Sequence, residues 1–154
     1  MTESHDVASI RSRREALLRA AIGLEDALAC PLGDAEKWRR GVAKATDHAV
    51  ERVEEHVNLT EGPGHILDES RTVAPRLDHR VRQMLVDHEE LEKAVHALKT
   101  AVNELSYAPE DQAEEQAIKV RNKAVEMMGL MARHRQRGAD LVYEAYHVDL
   151  GNSA

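Results

Sequence analysis

The sequence predicts an all-α chain, folded as an antiparallel up-and-down four-helix bundle. Apolar residues recur at spacings of three and four almost throughout, the mark of amphipathic helices. No alternating β-branched run and no Asn-Gly or Asp-Gly hairpin turn occurs, so strand signals are missing. Phe is absent and there are only one Trp and three Tyr. Ala, Leu and Val must therefore form the core, and small aliphatic side chains suit close-packed helices. The 154 residues fit one domain, taken as 8–150, with 1–7 and 151–154 as flexible termini.

The first helix is predicted from about Ala8 to Ala29, on the spacing of Ile10, Leu17, Leu18, Ala21, Leu24 and Leu28. Pro31, Leu32 and Gly33 break it, and Asp34 offers an N-cap for the second helix, although Lys37 leaves the capping box incomplete. That helix carries Trp38, Val42, Ala45, Ala49 and Val53 and ends near Thr60, before Gly62-Pro63-Gly64. A short helical turn is expected over Ile66–Arg71. Pro75 suits the first turn of the third helix. Its seam is Leu77, Val81, Met84, His88, Leu91, Val95, Leu98, Val102 and Leu105. Ser106–Pro109 separates it from the fourth helix, whose seam reads Ala113, Ala117, Val120, Ala124, Met127, Met131, His134, Gly138, Leu141 and Ala145.

Composition excludes several functions. With 21 basic against 28 acidic residues the net charge is −7, which argues against a general nucleic-acid binder. The single Cys30 forbids an intrachain disulfide and a multi-cysteine zinc site. Charges interrupt every apolar stretch before the ~18 residues of a membrane span, and Met1–Glu15 has no signal-peptide core. A cytoplasmic protein is expected. No Ser-centred elbow, phosphate loop, dinucleotide fingerprint or H-E-x-x-H occurs.

Nine His carry the remaining chemistry. His88 and His134 occupy seam positions where Leu is the ordinary residue, and His56 extends the apolar line of the second helix. A buried imidazole needs partners. Three of them turned inward from three helices are economically explained by a shared metal or polar site; separate core hydrogen bonds are the alternative. Acids lie near each: Glu61 after His56, Glu92 four residues after His88, and Asp140 after His134. The candidate metal set is therefore His56, Glu61, His88, Glu92, His134 and Asp140. Folding the last two helices about Ala108 sets His88 opposite Met128 and leaves His134 six residues further, or ~9 Å at helical rise. On that register the two imidazoles reach one ion only at full stretch. His5, His48, His65, His79 and His96 read as terminal, boundary or surface residues.

These stretches resemble the hemerythrin-like (His-His-Glu cation-binding) bundles. "EEHVNLTEGPG" (Glu54–Gly64) is similar to the family's second-helix segment with His56 as ligand. "VDHEELEKAVHAL" (Val86–Leu98) resembles the third with His88, and "RHRQRGADLVYEAYHVDLG" (Arg133–Gly151) the fourth with His134. The resemblance implies a non-haem iron site, mononuclear or dinuclear, serving O2, NO, peroxide or redox sensing or metal handling. Its ligands would be a small gas or peroxide, with no nucleic acid and no membrane. A peroxidase-like enzyme is a further option, and only with metal bound.

The sequence departs from that pattern in each helix. The first helix has no His, so Glu15 or Glu25 would substitute. Thr60 stands four residues after His56, Glu92 replaces the second His of the third helix, and Gly138 stands four after His134, leaving Asp140 or Glu144. The alternative is a metal-free bundle acting as an interaction or regulatory module, with the edge Arg133, Arg135 and Arg137 facing a protein partner or a second copy. Gly138 in mid-helix suggests close helix approach or space beside His134. Met84, Met127, Met128 and Met131 read as adaptable core packing, and Tyr143 and Tyr146 as boundary residues or donors to the core site.

Overall fold

A computed structural model describes residues 3–29, 35–61 and 65–148. The described residues are almost entirely helical and include no strand. Five α-helices follow in order: α1 Glu3–Ala29, α2 Ala35–Thr60, α3 Ile66–Val73, α4 Asp78–Tyr107 and α5 Ala113–Tyr143. Two 3-10 turns, Pro75–Leu77 and Glu110–Gln112, precede α4 and α5, and a π-helical segment, Glu144–Val148, continues α5. The Asp34 cap and Cys30 lie outside the described residues, as do Gly62–Gly64 and the last six positions.

Local chemistry sets these boundaries. Ala74 takes an extended conformation, φ −134° and ψ 81°, because the residue before proline is forced out of the helical region. Pro75 therefore opens a separate 3-10 turn rather than the first turn of α4 itself. Ala108, before Pro109, ends α4 for the same reason, at φ −68° and ψ 138°. The turn expected over Ile66–Arg71 is the full helix α3, two residues longer. α1 includes Glu3–Val7, ahead of the first apolar repeat.

The long helices pack as a ring of pairs: α1 on α2, α2 on α4, α4 on α5, and, most sparsely, α5 on α1. The pairs Glu104–Lys119, Asp87–Arg137 and Arg80–Glu144 run in opposite order along α4 and α5, so these two helices are antiparallel. Asp47–Lys99 and Glu54–His96 show the same for α2 and α4. Trp38 anchors the α1–α2 corner. Its Nε1 donates to the Leu28 carbonyl at 3.3 Å, and the Arg121 guanidinium lies 5.7 Å from its ring centre, within cation–π range.

Every residue of the predicted α4 seam is buried. The interior divides into two apolar clusters. The larger includes Leu24, Val42, Val53, Leu91, Leu98, Ala124 and Met131. The smaller gathers Leu67, Leu77, Val81, Met84, Leu141 and Ala145 under α3. Leu18, placed in the α1 seam by its spacing, is 41% exposed. No helix of the described residues is long and apolar enough to cross a membrane.

Candidate metal centre

His56, His88 and His134 meet at the boundary between the two apolar clusters. His56 comes from the last turns of α2, His88 from the N-terminal half of α4, and His134 from the C-terminal third of α5. Their exposures are 8%, 1% and 4%. One ring nitrogen from each lies within 4.8 Å of the others. The Nε2 atoms of His56 and His134 are 2.8 Å apart, and those of His88 and His134 3.2 Å. The rings stand edge to face or tilted, with centres 4.6–5.3 Å apart.

The turn between α4 and α5 explains the convergence. Residue 111 lies midway between His88 and His134, inside the Glu110–Gln112 turn. The two helices thus fold about a point three residues beyond Ala108, which removes the six-residue offset expected from the sequence. The Asp87–Arg137 pair holds this register: one guanidinium nitrogen donates to both carboxylate oxygens, at 2.7 and 2.8 Å. The Asp87 hydrogen bond and charge raise the Arg137 pKa further, so the guanidinium keeps its proton. Asp87 is adjacent to His88, and Arg137 is one helical turn beyond His134.

Glu61 follows α2 and stands behind His88, its Oε1 2.6 Å from Nδ1. Burial pushes the His88 pKa down to about 4, and the Asp87 carboxylate opposes this in part. The neutral ring therefore donates Nδ1–H to Glu61 and keeps the Nε2 lone pair toward His56 and His134. This carboxylate–histidine arrangement orients and strengthens a metal ligand. Burial, with the nearby Glu89 charge, raises the Glu61 pKa.

The donor set fits a metal ion of the first transition row. Neutral imidazole suits zinc, iron, copper and nickel. Three nitrogens ~2.0 Å from one tetrahedral ion sit about 3.3 Å apart. The observed 2.8 and 3.2 Å spacings reach that value with movements of about 0.1–0.5 Å.

The other acids of the predicted set lie elsewhere. Glu92 lines a surface depression with Glu89, Lys93 and His96. Asp140 is exposed and accepts a hydrogen bond from Gln136 at 3.1 Å. Glu144 is tied to Arg76 and Arg80, and Glu15 to Arg19 on an exposed face. Thr60 directs its hydroxyl to the His56 carbonyl, at 2.8 Å. Tyr143 is 59% exposed and Tyr146 packs on the smaller apolar cluster.

Space lies beside His134, one of the two readings of Gly138. A cavity of about 240 Å³ opens against the three imidazoles. α1 supplies much of its wall through Leu17, Leu18, Ala21 and Ile22, with Glu25 at the edge. Gly138 lines it too, and a Cβ there would meet the Met84 terminal methyl at 3.3 Å. The available signal was the adjacent pairs Leu17-Leu18 and Ala21-Ile22, which make an apolar face wider than one helix seam requires.

No protein-family model, curated protein or solved structure matches the chain.

Proposed function

We propose that this chain is a hemerythrin-like four-helix bundle that holds one first-row transition-metal ion, with iron the metal the family resemblance favours. The observation that carries the reading is the convergence of three Nε2 atoms from three helices, between two apolar clusters. Such burial is costly unless the imidazoles share a partner. A single ion is favoured over two because Glu92 and Asp140 face away, and Glu61 contacts His88 from its outer side. When bound, the ion would supply Lewis-acid or one-electron chemistry to a small molecule such as O2, NO or a peroxide. The chain's own residues hold the three lone pairs in place: Glu61 fixes the His88 tautomer, and Asp87–Arg137 fixes the α4–α5 register.

A metal-free interaction or regulatory module is the second reading, and one observation favours it. The same Nε2 contacts, at 2.8 and 3.2 Å, are hydrogen-bond distances, and one shared Nε2–H on His134 serves both. Elemental analysis separates the two. Protein purified without a His tag from iron-supplemented medium should carry about one metal ion per chain. The variant with His56, His88 and His134 all changed to Leu should carry none while keeping its helical circular dichroism. Equal metal content in both proteins would refute the metal reading.

A further inference from the structure

The 240 Å³ cavity has a composition unlike a void left by loose packing. Its depth is lined by Leu17, Ala21, Leu67, Met84 and Met131, and its polar end is the three imidazoles. Thr60 adds no donor there, because its hydroxyl is engaged by the His56 carbonyl. The exposed lining residues, including Leu18, Ile22 and Glu25 of α1 and Arg135 of α5, place the mouth on the sparse α1–α5 seam. Glu25 and Arg135 carry opposite charges, so the mouth selects neither anions nor cations by net field.

We infer that this cavity is a binding site for a small uncharged organic molecule with an apolar body and one hydroxyl head group, an aryl or medium-chain alcohol. Size follows from a simple comparison: an apolar cavity of about 150 Å³ holds benzene, so 240 Å³ holds a body of about ten carbon atoms. Orientation follows from chemistry. The apolar body goes where no polar group needs water, and the hydroxyl meets the three imidazoles. The inference goes beyond the metal site and does not need it: in the metal-free protein the hydroxyl bonds to the imidazole cluster, whose Nε2 atoms no ion then occupies.

The test uses chelator-treated full-length protein with 2-naphthol, naphthalene and decanoate as probes, titrated by calorimetry. 2-Naphthol should bind best and displace naphthalene. Ala21→Leu, which fills the cavity from α1 with a good helix former, should weaken 2-naphthol by about tenfold or more and leave metal content unchanged. Methyl-labelled methionines give a second readout that needs no variant. 2-Naphthol should shift the Met84 and Met131 resonances, which line the cavity, and leave Met127, in the larger core cluster, in place. No binding of 2-naphthol, tighter binding of decanoate, undiminished binding by Ala21→Leu, or shifts at Met127 alone would each overturn the inference. Metal analysis of the same preparations before chelation reports separately on the metal reading.

Discussion

Acidifying the metal-free protein should expose the cost of burying His88. Its pKa falls from the ordinary 6.5 to about 4 because the ring is buried, and the side chain is 1% exposed. The unfolded chain therefore binds this proton more readily than the folded one. Stability from this group is fully present above pH 6.5 and is lost as pH falls through 6.5 toward 4. The full span is worth about 3 kcal/mol, and the part lost between pH 7 and pH 5 about 2 kcal/mol. For a chain of 154 residues that lowers Tm by roughly 4–8 °C. His88→Leu is the control: Leu is close in volume and continues the apolar seam from Met84 to Leu91. Glu61 acts with the opposite sign, because a raised carboxyl pKa stabilises the fold at low pH; it is present in both proteins and largely cancels. The assay is thermal melting followed by circular dichroism at pH 7 and pH 5, with chelator throughout. The wild type should lose about 2 kcal/mol more than His88→Leu between the two pH values. Equal losses would show that His88 is not held neutral by burial, and the reasoning from its position in the seam would fail.

Glu61→Gln keeps an acceptor for His88 Nδ1–H but removes its charge, and should weaken metal binding by about 10–100-fold, read by competition with a chromophoric chelator. Gly138→Ala should leave stability unchanged or raise it by up to about 1 kcal/mol, because the added methyl meets only the flexible end of Met84; a loss above about 1 kcal/mol in urea melts would contradict this. Asp87→Ala should cost about 1–3 kcal/mol by removing a nearly buried acceptor, and should weaken metal binding as well, since the α4–α5 register loosens. Leu98→Ala, at a fully buried position in the larger cluster, should cost about 2–5 kcal/mol with metal affinity unchanged.

The helical seams were legible because burial follows the helical period directly. Leu77 through Leu105 could be marked one by one from spacing alone, and His56, His88 and His134 stood out as polar residues in those same seams. The meeting of His88 with His134 was not legible. It depends on where the chain reverses, and a shift of three residues in the turn centre moves one helix past its partner by several ångströms. The Pro109 signal marks the end of α4, but nothing local in Glu110–Gln112 announces that a further 3-10 turn precedes α5. The role of Asp87 was hidden for a similar reason. A charged residue beside a seam His reads as solvated surface until Arg137 is brought against it from another helix. The directions of Glu92 and Asp140 are set by helix rotation, and their sequence distance from His88 and His134 says little about the face they occupy. Of the cavity, only the space beside His134 was hinted at, by Gly138; its extent is set by five helices together.

The three imidazoles come from three helices that are far apart along the chain, and each helix can slide only in steps tied to its 1.5 Å rise per residue. A displacement of α2 against α5 by two residues, about 3 Å, would stretch the 2.8 Å contact between His56 and His134 to about 4 Å, beyond hydrogen-bond range. The cluster thus works as a gauge of alignment. Only the register in which all three long helices agree brings the nitrogens together, and any metal that binds there would reward that alignment and no neighbouring one. A mutation that slips a helix by two positions and keeps the helicity intact would be detected at once as lost metal.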